Sequence, residues 1–458
     1  MKKIKYNSLA ALFLALSVIT ACKKDWLNAK PNKSLVIPTT VADYQALLDN
    51  ITSVFNINQP SLSLVSDCDF YVADARYPGL SQTERSAYIW AATSDNFYSA
   101  TTVDDWTLSY QRILNANVVL AGLQSITLSA NDAGAYNNVK GSALFYRSFD
   151  YFNMAQLFCK PYVAATASTD LGLPLRTSPN INLTVGRSSV QQTYDQIIKD
   201  LVAAAPLLTS TPLFPTRPSK QAAFSLLARV YLSQRNYPEA FLYADSCLRL
   251  QSGLIDYNQL NTTDSYPIPH FNKEVIFNST LITYLSFLTS RMIVDSTLYK
   301  SYSPNDLRAS IYFTILRGNP SYKGSYDGSF NFFGGLATDE MYLIHAECAA
   351  RAGDATTAMN DFNLLMKNRF VTGTYVPMEG LTPENVLSII LAERRKELCF
   401  RALRWTDLRR LNLETRFQSN LQRVISGTTY TLLPNSSRYV LPIDNNEITV
   451  GGLLQNPR

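Results

Sequence analysis

Apolar residues recur at three- and four-residue steps along most of this chain, and that period predicts helices. In Asp104 to Leu123, DDWTLSYQRILNANVVLAGL, the positions Trp106, Tyr110, Ile113, Leu114, Asn117, Val118 and Ala121 share one face, and Asp104 and Asp105 suit the positive end of a helix. A second helix is expected from Ala133 to Phe158, through Val139, Ala143, Tyr146, Phe149, Tyr151 and Leu157. A third is expected from Val190 to Leu208, with Pro206 in its last turn. Two further stretches read as paired helices of tetratricopeptide type, in which small residues let two antiparallel helices approach closely. One, AAFSLLARVYLSQRNYPEAFLYADSCLRL, sets Ala228, Tyr231 and Ala240 at offsets of 3 and 9; the other, MYLIHAECAARAGDATTAMNDFNLLM, repeats those offsets with Ala346, Ala349 and Ala358. The units lie 118 residues apart, so the chain is no regular solenoid, and long irregular segments, roughly 159–188 and 251–337, must fold around the helices. Alternating strand patterns are short: Glu274 to Thr280, Thr429 to Pro434 and Ser437 to Ile443. The fold class expected is mainly α, a scaffold of tetratricopeptide-like helix pairs with long loops and a few small hairpins.

The N-terminus departs from this period. MKKIKYNS is basic, and Leu9 to Ala21 is a thirteen-residue apolar run, shorter than the roughly 20 residues of a membrane-spanning helix. Residues 1–21 therefore read as a signal peptide. Its end, Ile19-Thr20-Ala21-Cys22, resembles a bacterial lipobox, which makes Cys22 the lipid-bearing first residue of the mature protein. Residues 22–40 are polar and contain proline, the composition of a tether. Residues 41–458 then form a single helical body, with an N-terminal part of about 41–250 and a loop-rich C-terminal part of about 251–458.

Charge narrows the class. The densest charge lies in LAERRKELCFRALRWTDLRR, Leu391 to Arg410, with seven basic and three acidic residues. The whole chain carries only +5, and Lys2, Lys3 and Lys5 of the leader hold three of those charges, so the body lacks the broad basic surface of a nucleic-acid binder. Placed on one helix from near Pro383, Leu387, Leu391, Leu398, Ala402, Trp405 and Leu408 form an apolar stripe interrupted by Arg394 and Arg395. Charges on a packed face need partners, so Glu393, Glu397 and Asp407 are expected to pair with these arginines, and Arg404 to lie against a ring, in an internal network that docks the segment onto the scaffold.

Little here suggests catalysis. Only His270 and His345 are present, no phosphate loop, dinucleotide or HExxH motif occurs, and neither a metal site nor a cofactor is expected. Past Cys22 the cysteines Cys68, Cys159, Cys247, Cys348 and Cys399 are odd in number and widely spaced, which does not suit a disulfide framework; Cys247 and Cys348 read as buried thiols. The aromatic content says more: 27 Tyr and 22 Phe, many in polar stretches such as SDCDFYVADARYPG, TSDNFYSA, DSYPIPHF and NPSYKGSYDGSFNFFGG. An exposed ring stacks on the C–H face of a sugar while neighbouring Asp, Asn and Arg bond its hydroxyls.

Taken in order, several segments resemble the SusD/RagB family of Bacteroidetes outer-membrane lipoproteins. KKDWLNAKPN and PTTVADYQALLDN resemble the mature start, followed by the helix of Trp106, Tyr110, Ile113 and Asn117, then ALFYRSFDYFNMAQLF, GLPL, RSSVQQTYDQIIKDL and RPSKQAAFSLLARVYLSQRNYPEA. Glu393, Arg394, Arg395, Glu397, Leu398, Phe400, Arg404, Trp405, Asp407, Leu408, Arg409 and Arg410 resemble the family's C-terminal signature, and YVLPIDNNEI and QNP complete the order. Where the family often has Glu-Gly after the Phe, this chain has Arg401-Ala402. The resemblance implies a non-catalytic cell-surface protein that captures an oligosaccharide or other nutrient and hands it to a partner TonB-dependent outer-membrane transporter. Loop composition, rather than any transferable motif, nominates Asp67, Asp69, Tyr71, Arg76, Tyr77, Asn96, Tyr98, Tyr322 and Tyr326 as ligand contacts. The competing expectation is a helical-repeat lipoprotein whose concave face binds only protein.

Overall fold

The computed structural model describes residues 38–98, 104–128, 131–210 and 212–458, of which those from Thr40 to Arg458 form one compact unit. The expected signal peptide, Cys22 and nearly all of the tether lie outside the described residues. A succession of helices builds the scaffold: α1 (Asp104–Leu123), α2 (Ala133–Phe158), α3 (Val190–Ala204), α4 (Lys220–Ser233), α5 (Tyr237–Leu250), α6 (Thr338–Arg351), α7 (Ala355–Lys367), α8 (Pro383–Glu397) and α9 (Arg404–Leu411). Neighbours from α1 to α7 pack in that order, and α8 lies on α6. Helix α2 is the centre: it is buried on nearly every face through its C-terminal two thirds, as expected of a helix without a polar side. Its buried charges are paired, Asp150 accepting from Arg112 Nε at 2.7 Å and Arg147 holding Asp200 through Nε at 2.8 Å.

Local sequence sets the helix starts. Ser189 and Gln192 form a reciprocal capping box at α3, while Ser219, Asn236, Asp354 and Thr382 accept from the first free amides of α4, α5, α7 and α8. Helix α3 stops at Ala204, short of the expected Leu208: Ala205 keeps helical backbone, but Pro206 has no amide hydrogen to continue the ladder, and the Leu207 and Leu208 amides both turn back to the Ala204 carbonyl. Both tetratricopeptide-like pairs are present, with Ala228, Ala240, Ala346, Ala349 and Ala358 buried where their helices meet. Although far apart in sequence, the pairs adjoin through α5 and α6, where the Phe241 ring stacks on His345 at 4.0 Å. His345 Nδ1 also bonds Asp361 at 2.5 Å, which places this histidine in the packing of the scaffold. The five described cysteines are free thiols, and Cys247 and Cys348 are buried.

Small antiparallel pairs decorate the helices. Phe70–Val72 pairs with Met292–Val294, Val275–Phe277 with Leu336–Ala337, and Phe313–Leu316 forms a hairpin with Asn319–Tyr322. The expected strand near Thr429 is Thr428–Leu432, paired with Leu421–Ile425 across the left-handed residues Ser426 and Gly427. Ser437 to Ile443 is not a strand: it opens as a 3-10 turn at Ser437–Tyr439, and its amides find scattered partners, Leu441 on the Leu157 carbonyl and Ile443 on Gln455.

The C-terminal end of α2 gathers distant segments. The Phe158 carbonyl accepts from Arg187 Nη2 at 3.1 Å and Asn456 Nδ2 at 2.9 Å, and Arg409 donates to the carbonyls of Ala155 and Cys159. These cations and the amide gather at the negative end of the helix, where the last carbonyls run out of intrahelical donors, although Ala155 still accepts from the Cys159 amide.

The charged segment 391–410 is two helices, not one. Helix α8 ends at Glu397, and Phe400 and Ala402 adopt left-handed φ values of 60° and 59° before α9 begins. Neither residue signals a break, and left-handed backbone costs each about 1–2 kcal/mol. Packing offsets that cost: Phe400 stacks on Tyr322 at 4.4 Å, and the Arg401 guanidinium sits 3.8 Å over the Tyr326 ring while binding Asp339. The internal network is present but differently paired: of the expected acids only Asp407 meets Arg394, Arg395 turns to Asp69 and Asp295, and Glu393 and Glu397 are taken by arginines from outside the segment. Arg394 pairs with Asp407 at 2.9 Å, Arg410 with Glu347 and Asp407, and Arg308 with Asp306, Glu393 and Glu397. Arg369, outside the segment, bridges Glu397 at 2.7 Å and Glu274 at 3.0 Å. The guanidinium on a ring within the segment is that of Arg401, where Arg404 was expected.

Candidate functional site

Tyr71 is the middle residue of a strand whose neighbours Phe70 and Val72 face the core, so strand alternation turns its ring outward, 42% exposed. The chain then turns at Ala73–Arg76 and enters a short 3-10 helix, Tyr77–Gly79, in which Pro78 fixes the backbone. Tyr77 is half-buried, its ring 5.7 Å from Tyr88 and its hydroxyl donating to the Arg85 carbonyl at 3.3 Å; burial pushes its hydroxyl up to about 12. Arg76 is exposed, and its guanidinium makes no hydrogen bond or ion pair among the described residues.

Two other segments hold this loop in place. Arg291 Nη1 donates to the Gly79 carbonyl at 2.8 Å, and the Ser426 amide of the 421–432 hairpin donates to Asp74 Oδ2 at 2.9 Å. Leu285 and Leu288, just before Arg291, are exposed. The loop thus offers an outward phenol, a free guanidinium and adjoining apolar surface on a pinned backbone.

Asp67 and Asp69, expected to contact ligand, are buried at the root of the same strand. Asp69 Oδ1 accepts from Arg395 Nε at 2.9 Å, and the Asp69 amide donates to Asp67 Oδ1 at 3.0 Å. Burial, and then the Asp69 charge, hold the Asp67 carboxyl well above the usual carboxylate range. Between them Cys68, at φ 67°, accepts from Arg423 Nε at 3.3 Å, and Arg423 lies 3.4 Å over the Tyr88 ring. Asp69 fastens the strand that carries Tyr71 to α8, and neither acid reaches the exterior. Arg395 also meets Asp295, which follows the partner strand, so one guanidinium ties both strands down.

The remaining nominees divide. Asn96 is exposed at a left-handed φ of 54°, and Tyr98 leans on the C-terminal segment, donating to the Pro442 carbonyl at 2.6 Å. Neither belongs to the Tyr71 loop. Tyr322 and Tyr326 are core residues, 7% and 0% exposed. Tyr326 donates to Glu274 Oε2 at 2.8 Å beneath Arg401, and Tyr322 packs against Phe400, so neither ring can stack on an external sugar in this conformation. In the aromatic stretches around them the rings that reach solvent are Tyr266, Phe271 and Phe330. Among the described residues, no cluster of three or more His, Cys, Asp or Glu is placed to hold a metal, and no helix is long and apolar enough to cross a membrane.

Two family models match this chain. Residues 25–232 match one described as starch-binding and associating with the outer membrane, and residues 338–458 match that of the SusD family. The chain is 23% identical over 375 residues to SusD-like protein P2 of Formosa agariphila, covering 67% of this chain and 71% of that protein. Among solved structures, a SusD superfamily protein of Bacteroides thetaiotaomicron aligns with TM-score 0.72 and 22% identity over 92% of this chain and 100% of the other. A SusD-like carbohydrate binding protein of Bacteroides vulgatus aligns with TM-score 0.69 and 19% identity over 91% and 97%.

Proposed function

Since the chain belongs to the SusD family, whose members associate with the outer membrane and bind starch or related glycans, we propose that it captures an oligosaccharide on its pinned 71–77 loop, without transforming it, and delivers it to a TonB-dependent transporter. One observation carries the ligand part: an outward Tyr71 and an unpartnered Arg76 share a loop whose root is locked by the Asp69–Arg395 ion pair. A ring needs no ordering to meet the C–H face of a sugar when its strand is already fixed, and a free guanidinium has its donors ready for hydroxyl oxygens. Tyr77 backs the loop and supports that geometry. In this reading Asp69, with Asp67 beside it, supports the loop from beneath, Tyr322 and Tyr326 belong to the core, and Tyr98 braces the C-terminal segment.

Lipid attachment at Cys22 would hold the body at the outer membrane, facing outward, with residues 22–40 as its tether. Glycan-array binding by the full-length protein tests the ligand reading: Tyr71→Ala and Arg76→Ala are each expected to weaken a glycan bound by the wild type about tenfold. Unchanged affinity in both variants would remove the loop from the site. For the anchor, Cys22→Ser should release the protein from the membrane fraction, and retention there would refute lipid anchoring at that residue.

A further inference from the structure

The aromatic stretches that the Tyr71 loop does not use present rings of their own. Tyr266 and Phe271 are 43% and 39% exposed on one loop, and Phe330 is 68% exposed on another. These loops interlock. Lys323 Nζ donates to the carbonyls of Thr262 at 2.6 Å and Asp264 at 3.1 Å, while His270 Nδ1 lies 2.6 Å from the Asp327 carbonyl. Gly328, at φ 67°, is close enough that a Cβ there would come within 2.5 Å of the His270 amide nitrogen. Only a residue without a side chain permits that approach.

Phe271 adopts a left-handed φ of 53°, uncommon for a bulky residue, and its ring sits beside the imidazole of His270 with centroids 3.7 Å apart. The backbone thus bears strain while its ring remains at the surface, the kind of outlier that clusters where ligands are held. Because the Asp327 carbonyl can only accept, Nδ1 of His270 directs a proton to it, and Nε2 remains available for a hydrogen bond. The polar residues Ser329 and Asn331 flank Phe330, so the apolar surface is broken up and is not a continuous face of the sort that buries a protein partner. Separate rings beside hydrogen-bonding groups match the alternation of C–H faces and hydroxyl edges on a pyranose chain. The patch ammonium, Lys323, is engaged by two carbonyls, which favours an uncharged saccharide.

We propose that Tyr266, His270, Phe271 and Phe330 form a second saccharide platform for neutral oligosaccharides, separate in sequence from the 71–77 loop. It rests on the glycan-binding reading above, but none of its residues falls within either segment matched by the family models.

Affinity electrophoresis of the full-length protein tests it, in gels containing soluble starch, xyloglucan, galactomannan or laminarin. At least one of these polymers is expected to retard the wild type, and Phe271→Ala with Phe330→Ala to weaken that retardation about tenfold, with Phe330→Trp retaining it. If Tyr71→Ala with Arg76→Ala weakens retardation and the Phe271/Phe330 variant does not, the second platform is wrong and the first reading stands. If no polymer retards the wild type, both fall. A Phe271/Phe330 variant that keeps its glycan retention but sediments more slowly would make the patch a self-association surface and overturn the proposal. Unchanged thermal unfolding of the variants is expected, since all the substituted rings are exposed.

Discussion

Arg369 and Arg76 carry the same guanidinium into opposite surroundings. Arg369 is buried between Glu274 and Glu397 with the Tyr257 ring 4.1 Å away, while Arg76 stands in solvent on a loop and pairs with nothing among the described residues. The difference lies in what the fold brings near. Glu274 comes from the loop-rich segment and Glu397 from the end of α8, so the interior cation is met by carboxylates from both sides and clamps them together. The exposed one keeps its donors for something outside the chain. Dense charge in this protein marks its fastenings, and sparse charge marks its contact surface.

The sharpest way to break that contrast is Arg369→Ala. It leaves buried Glu274 without its counter-ion and takes from Glu397 one of its two guanidinium partners, and should cost about 3–5 kcal/mol in chemical denaturation. A loss below about 1 kcal/mol would mean that the clamp does not hold the body together. Next is the Arg394–Asp407 pair, which joins α8 to α9. Alanine at either position should cost about 3 kcal/mol, and a double-mutant cycle should return a coupling of at least about 1 kcal/mol. Simple additivity would show that the two helices are held by other contacts. Smaller, and opposite in sign, Ala402→Gly should raise stability by about 1 kcal/mol by removing left-handed strain at φ 59°. A lower melting temperature would show that the Ala402 methyl packs more than it strains. The smallest expected effect is at the contact surface: Arg76→Ala should change stability by no more than about 0.5 kcal/mol while weakening glycan binding. A large loss of stability there would put Arg76 among the fastenings.

The helices were legible because their signals are local. Apolar period and acidic first turn gave the bounds of α1, and small residues at fixed offsets gave both helix pairs. The break between α8 and α9 was not legible, because Phe400 and Ala402 hold left-handed backbone through contacts with Tyr322, Tyr326 and Asp339 that come from far along the chain. The site divided in the same way. The composition of its stretch nominates Tyr71, which is exposed, but the Phe70–Val72 strand whose alternation turns it outward was not expected, because its partner Met292–Val294 lies far along the chain. Tyr322 and Tyr326 were misread as exposed because polar neighbours in sequence suggest a surface, whereas this interior is itself rich in Arg, Glu and Asp. Phe330 lay in the same aromatic stretch and carried no local mark to separate it from buried Phe332 and Phe333.

The carbonyls at the end of α2 set a temporal order. Their partners Arg187, Arg409 and Asn456 lie from 29 to 298 residues downstream. An N-terminal helix that waits for the last residues cannot mature piece by piece as the polypeptide emerges. Closing so long a loop carries an entropic penalty before any contact repays it, so assembly of the body should be slow and concerted, completed only when the final turns arrive.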